Sequence, residues 1–198
     1  MQNFLRRFSF CSIALLSNSV CASTYCLDAI IAGSGMNSPS QRLWNLKNSE
    51  YMRLFGAARL IEPADLVGRT FLGEVLKVNF SVIGSRALIA NVGWFGDLVK
   101  FPIPRRNRFF EMRFDSDSHS GINYWPARGE ILPFQMYEDS DRASLVVDYS
   151  VPANLPVLQR PYLDEIRRTP DGTLIGKFYY RVAGIPVLFL WFSLVEIV

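Results

Sequence analysis

The sequence predicts an all-β protein, an antiparallel barrel with one N-terminal helix packed outside it. Several stretches of the second half alternate apolar with polar residues, as strands do when one face is buried. Turn-forming residues separate these stretches at short intervals, which is typical of antiparallel barrels and sandwiches. The last stretch is apolar on both faces, so it needs a cover that a preceding amphipathic helix can supply.

The first 22 residues have the layout of a secretory signal peptide. Arg6 and Arg7 precede the apolar run Phe8–Leu16, and Val20-Cys21-Ala22 has the small residues of a cleavage site. An N-terminal anchor that is never cut is the alternative. The pattern predicts export to the periplasm or beyond.

Cleavage would change both the charge and the cysteine content of the chain. The signal holds two of the 21 basic residues and none of the 18 acidic residues. The mature protein would therefore have 19 basic and 18 acidic residues, a net charge of +1. This balance gives little reason to expect a nucleic-acid partner. Of the three cysteines only Cys26 would remain, which excludes an intramolecular disulfide. We expect no metal and no cofactor.

Residues 23–40 are small and polar and are interpreted as a leader, and residues 41–198 as a single domain. Ser40 is placed to cap a helix from about Gln41 to Leu60. Its apolar face favours docking on the body of the protein, with a membrane-surface helix as the alternative. The residues of that face are Leu43, Trp44, Tyr51, Leu54, Phe55 and Ala58.

The strands follow from Gly68 onward. Phe80–Trp94 is ambiguous between helix and strand. Asp115–Gly121 is rich in turn residues, and Pro152–Arg168, with three prolines, is interpreted as a longer connection. The predicted strands are Arg69–Val78, Arg106–Phe114, Glu130–Glu138, Ala143–Val151, Thr173–Val182 and Val187–Val198.

The inward-facing positions of these strands are rich in aromatic residues and include two methionines. A small barrel either fills its interior with side chains or encloses one small ligand, and Met adapts to irregular apolar shapes. A plain packed core and a site for a lipid-like ligand are therefore both open, and ligand binding is our leading functional hypothesis. The candidate ligand-binding residues are Phe110, Met112, Phe114, Phe134, Met136, Tyr149, Phe178 and Tyr180.

Several short segments of the chain carry a resemblance to other proteins. They are Val67–Arg69, Gly73–Leu76, Ser120–Asn123, Leu145–Tyr149, Asp164–Arg167 and Leu174–Gly176. Together they resemble an uncharacterised family of exported bacterial proteins without an assigned activity, over roughly residues 65–195. More loosely, a helix leading into a meander of strands is similar to the lipocalin-like barrels, which implies an antiparallel lipocalin-like barrel and small apolar ligands. Gly68-Arg69-Thr70 stands where lipocalins carry Gly-x-Trp.

Residues with catalytic potential are few, and we assign none of them as catalytic. His119 is the only histidine, so a Ser-His-Asp or Cys-His mechanism would have to use it. It lies in a polar turn that fails the EF-hand pattern. Asp164 and Glu165 are the best acids for general acid–base chemistry, which keeps a hydrolase or isomerase as the alternative function.

A basic run with interleaved phenylalanines leads into the second predicted strand. Arg105, Arg106 and Arg108 are its centre. In an exported protein this run would meet an anionic head group or glycan, which suggests a peripheral membrane contact and a third function, an envelope interaction module. A solvated strand face that protects a sheet edge is the alternative.

Overall fold

The structure is a computed structural model that describes residues 42–44, 46–79, 109–116, 119–125, 129–154, 162–182 and 184–197. The predicted signal, the 23–40 leader with Cys26, the ambiguous stretch Phe80–Trp94 and Arg105, Arg106 and Arg108 lie outside the described residues. The described elements are the helix α1 (Asn48–Ala57), a 3-10 turn (Pro63–Asp65) and the strands β1 (Thr70–Val78), β2 (Phe109–Phe114), β3 (Ser120–Trp125), β4 (Gly129–Asp139), β5 (Ser144–Asp148), β6 (Tyr162–Arg168), β7 (Leu174–Val182) and β8 (Ile185–Ile197).

The eight described strands form a closed antiparallel barrel in chain order. Each strand pairs with the next, and β8 also pairs with β1, where Thr70 stands opposite Ile197. The predicted fold class is therefore confirmed. Because the ring closes, every described strand has a neighbour on both sides and none presents a free edge.

The two ends of the barrel differ. We call the end where β1 finishes at Val78 and β8 begins the distal end, and the opposite end, where β1 begins, the proximal end. Ile61 and Leu66 precede β1, are fully buried and belong to the apolar cluster of the interior. The backbone N–H of Gly68 donates to the carbonyl of Asp115, just after β2, at 3.0 Å. The segment before β1 therefore covers the proximal end.

The helix α1 packs on the outer face of the barrel, as predicted. Tyr51 stacks on Trp191 of β8 at a centroid distance of 5.2 Å, and Phe55 meets the same ring at 6.0 Å. Ile175 of β7 completes this buried cluster. These contacts supply the cover that the apolar outer face of β8 requires.

The predicted bounds of this helix were wrong at both ends. It begins at Asn48, because the N–H of Lys47 donates to the carboxylate of Glu50 at 2.6 Å and fixes the first turn there. It ends at Ala57, because Arg59 is extended and exchanges two backbone hydrogen bonds of 2.9 Å with Arg168. Tertiary pairing has overridden the helical pattern of residues 58–60.

Two strands were missed. β3 begins inside the predicted turn and β6 inside the predicted connection. Both carry polar residues at inward positions, Asn123 in β3 and Asp164 in β6. The outward Glu165 of β6 is also buried. A strand with polar residues on a buried face does not show the alternation that identifies strands.

Candidate functional site

The barrel interior contains a small cavity that lies toward the distal end. Its volume is about 30 Å³, which is on the order of one or two water molecules. Three of its lining residues are polar, Asn123, Tyr149 and Asp164, and the others are aliphatic or aromatic. The lining residues are Val75, Phe110, Asn123, Trp125, Leu132, Tyr149, Asp164, Phe178, Leu190 and Phe192.

A β-bulge shapes one wall of this cavity. Ile122 pairs with Pro133 and Asn123 pairs with Ile131, so Leu132 is an extra residue in β4. Leu132 has a φ of 55°, in the left-handed region that a leucine seldom adopts. Bulges re-aim side chains and recur beside functional sites. This one lets both Leu132 and Asn123 face the interior.

Three polar side chains form a hydrogen-bonded chain across the cavity wall. The amide Nδ2 of Asn123 donates to the hydroxyl oxygen of Tyr149 at 3.0 Å. The Tyr149 hydroxyl donates to Oδ2 of Asp164 at 2.7 Å. The three residues are 2–3% exposed. We call Asn123, Tyr149 and Asp164 the interior triad.

A second asparagine fixes the backbone behind the interior triad. Asn154 is buried, and its Nδ2 donates to the carbonyl of Tyr149 at 2.7 Å and to the carbonyl of Pro133 at 2.8 Å. It therefore ties the chain that follows β5 to the bulge of β4. This tie holds Tyr149 and Leu132 in one arrangement.

Burial dominates the electrostatics of the interior triad. It raises the pKa of Asp164 to about 8, against a smaller opposing effect of the hydrogen bond from Tyr149. Burial, with the nearby Asp164, raises the pKa of Tyr149 well above its ordinary value. Asp164 is therefore mostly protonated near neutral pH, a state that a carboxyl group adopts when an apolar environment disfavours its charge.

Two oxygen atoms of the interior triad have no hydrogen-bond partner among the described residues. They are Oδ1 of Asn123 and Oδ1 of Asp164, and both atoms are inaccessible to solvent. A buried polar atom without a partner costs roughly 1–3 kcal/mol. Two residues that line the cavity therefore carry buried oxygen atoms without partners in the described ranges, and the Asp164 oxygen is an acceptor when its carboxyl group is ionised.

The rest of the interior is filled by side chains. Phe114 meets Phe71 and Phe134 edge to face, at centroid distances of 5.6 and 5.4 Å. A Cβ atom added to Gly73, Gly121 or Gly176 would run into the ring of Phe110, Phe134 or Phe192, respectively. The inward glycines therefore make room for three phenylalanine rings.

The predicted ligand-binding residues divide between the cavity and this packed region. Phe110, Tyr149 and Phe178 line the cavity. Met112, Phe114, Phe134 and Met136 are buried in the apolar cluster, and Tyr180 packs partly exposed against it. The prediction identified the inward face, but it did not separate side chains beside open space from those that fill the barrel.

The three candidate catalytic residues are not brought together. Asp164 faces the cavity, whereas Glu165 faces outward, where it accepts hydrogen bonds from Lys177 at 3.4 Å and Tyr179 at 3.1 Å. His119 is exposed beside the start of β3. The part of the chain that the structure describes holds no group of three His, Cys, Asp or Glu residues suited to a metal ion.

The sequence reasoning missed Asn123 as a site residue and missed that Asp164 faces inward. A usable signal was that Asp164 alternates with two large apolar residues, Tyr162 and Ile166, and so points to the same face of the strand as they do. A second signal was Leu132-Pro133 inside a predicted strand, because proline in a strand marks a bulge or an edge.

Comparison of the chain with protein-family models, curated proteins and solved structures gave no match. No helix in the described ranges is long and apolar enough to span a membrane.

Proposed function

We propose that this chain is an exported β-barrel protein that binds a small, largely apolar molecule in the distal cavity. One observation carries the proposal: an interior cavity with aromatic walls is lined by two residues whose buried oxygen atoms lack partners in the described protein. Ligand sites are typically apolar concavities with a few placed polar groups. Export rests on the charged and apolar pattern of residues 1–22.

The size of the cavity limits how a ligand would bind. About 30 Å³ accommodates a small polar group and not a whole lipid. Trp125 is half-buried, lies at the distal end of β3 and stacks on Phe110 at 5.0 Å. We infer that the apolar part of the ligand takes the place of this ring pair while its polar group reaches the interior triad.

The test combines ligand identification with a variant that fills the cavity. The protein is purified from an exporting host, extracted with organic solvent and examined by mass spectrometry, and uptake of an uncharged fluorescent apolar probe is titrated. Leu190→Phe adds volume at a lining position and is expected to weaken probe binding at least tenfold. The matched control is Leu60→Phe, at an exposed leucine outside the barrel, which should leave binding unchanged.

The proposal fails if the extract is empty and the unmodified protein takes up no probe. It also fails if Leu190→Phe, folded by circular dichroism, binds the probe as tightly as the Leu60→Phe control, because the probe would then bind outside the barrel.

A further inference from the structure

Each donor atom of the interior triad makes a hydrogen bond, whereas two of its oxygen atoms make none with the described residues. The single hydrogen of the Tyr149 hydroxyl is donated to Asp164, and Asn123 donates to Tyr149. The remaining Asn123 Oδ1 can only accept, and Asp164 Oδ1 accepts when the carboxyl is ionised. The polar part of the cavity is therefore complementary to a group that brings hydrogens.

The charge of the lining also favours a cation over an anion. Asp164 and Tyr149 are the titratable residues among the described lining residues, and neither can carry positive charge. Aromatic rings surround the interior triad, and their faces attract cations. A carboxylate or phosphate would face Asp164 without a counter-ion.

We propose that the cavity binds the ammonium group of a small apolar amine, with Asp164 as its counter-ion and Asn123 Oδ1 as a second acceptor. An ammonium group has up to three hydrogens and can satisfy both unpartnered oxygens, whereas a hydroxyl has one and satisfies only one. This inference rests on the proposed function, since it names the ligand class of the same cavity.

The amine would bind with release of a proton from Asp164. The titratable groups near Asp164 are Tyr149, which directly follows β5, and Tyr162 from its own strand, and no charged side chain faces it among the described lining residues. Because burial raises the pKa of Asp164 to about 8, the free carboxyl is protonated below that pH. Amine affinity should therefore fall up to tenfold for each pH unit below about 8.

The experiment measures displacement of the uncharged fluorescent probe from the full chain by benzylamine and by benzyl alcohol, which have nearly the same shape. At pH 8.5 we expect the amine to bind at least tenfold more tightly. Between pH 8 and pH 6 amine affinity should drop, while alcohol affinity stays constant. Asp164→Asn should remove the amine preference, and Asp148→Asn, at a partly exposed residue on β5, should keep it.

The outcomes separate this inference from the proposed function. If the alcohol competes as well as the amine, or if the preference persists in Asp164→Asn, the amine proposal is overturned while the binding function stands. If Asp164→Asn does not fold, the pH dependence of the unmodified protein decides: a flat amine affinity between pH 6 and pH 8 overturns the proposal. If the chain takes up neither the probe nor either competitor, the binding function itself fails.

Discussion

At the scale of single residues, Asp164 stands out because its carboxyl group lies in an apolar interior. The folded barrel holds it protonated up to a pH of about 8, whereas an unfolded chain would ionise it near the ordinary pKa of 3.8. Between these values the folded state keeps a proton that the unfolded state releases. The contribution of Asp164 to stability is therefore fully present below about pH 4 and is lost progressively as the pH rises toward 8.

Asp164→Asn should remove this pH dependence. Relative to the variant, the unmodified protein should lose up to about 1.4 kcal/mol of unfolding free energy for each pH unit between about pH 4 and pH 8. Urea titrations at pH 5, 6.5 and 8 measure the difference, with Asp148→Asn as the control on an outward side chain. A constant difference between the variant and the unmodified protein would show that Asp164 titrates normally.

Gly121 shows the same dependence on single atoms in the packed region. The ring of Phe134 and the carbonyl oxygen of Arg113 occupy the space that a Cβ atom would need. We expect Gly121→Ala to cost about 1–3 kcal/mol of unfolding free energy, since a filled interior cannot absorb the extra atom. Gly56→Ala in α1 is the control: it has open space and should stabilise the helix by about 0.5–1 kcal/mol. Equal urea midpoints for the two variants would contradict this account of the packing.

At the scale of elements, α1 covers charged groups as well as apolar ones. The Lys177 ammonium lies 4.0 Å from the centroid of Phe55 and 3.4 Å from the carboxylate of Glu165. Arg167 donates to the carbonyl of Phe55 at 3.1 Å and to that of Arg142 at 2.7 Å. The helix is therefore held on the barrel by the contact of Phe55 with the Lys177 ammonium, which Glu165 pairs with, and by an arginine that donates to its last turn.

Removing the charge of Glu165 should loosen this helix. Burial lowers the pKa of Lys177, and Glu165 opposes that effect by stabilising the ammonium. Glu165→Gln leaves the cation buried without its partner, so we expect a loss of about 3 kcal/mol. Glu130→Gln, which breaks an exposed ion pair with Arg113, should cost under about 1 kcal/mol. Chemical denaturation compares the two variants, and similar losses would mean that the buried pair is not important for stability.

How far each element could be predicted depended on the regularity of its two faces. β1, β4, β5, β7 and β8 were predicted within a few residues because at least one of their faces is uniformly apolar. β3 and β6 were missed because Asn123 and Asp164 stand at inward positions. These two residues, which broke the strand pattern, also belong to the candidate site. A polar side chain on a buried face destabilises the strand unless a residue elsewhere in the fold hydrogen-bonds to it, so such positions are expected at functional sites.

At the scale of the whole molecule, the sequence could predict a barrel but not whether it was hollow. Inward parity identifies Phe110 and Phe134 alike, although one lines the cavity and the other fills the interior. That difference depends on ring orientation over inward glycines and on the bulge at Leu132. Neither property is encoded in the period of a single strand.

Closure of the ring through Thr70 and Ile197 also has a consequence for how the chain folds. The two residues that meet at this seam are 127 positions apart, so this pairing closes the longest loop of the described strand pairings and has the greatest loop-closure entropy. Such long-range pairings slow folding. Until β8 arrives, β1 and β7 both expose unpaired backbone, and a newly made chain is most vulnerable to aggregation during that interval.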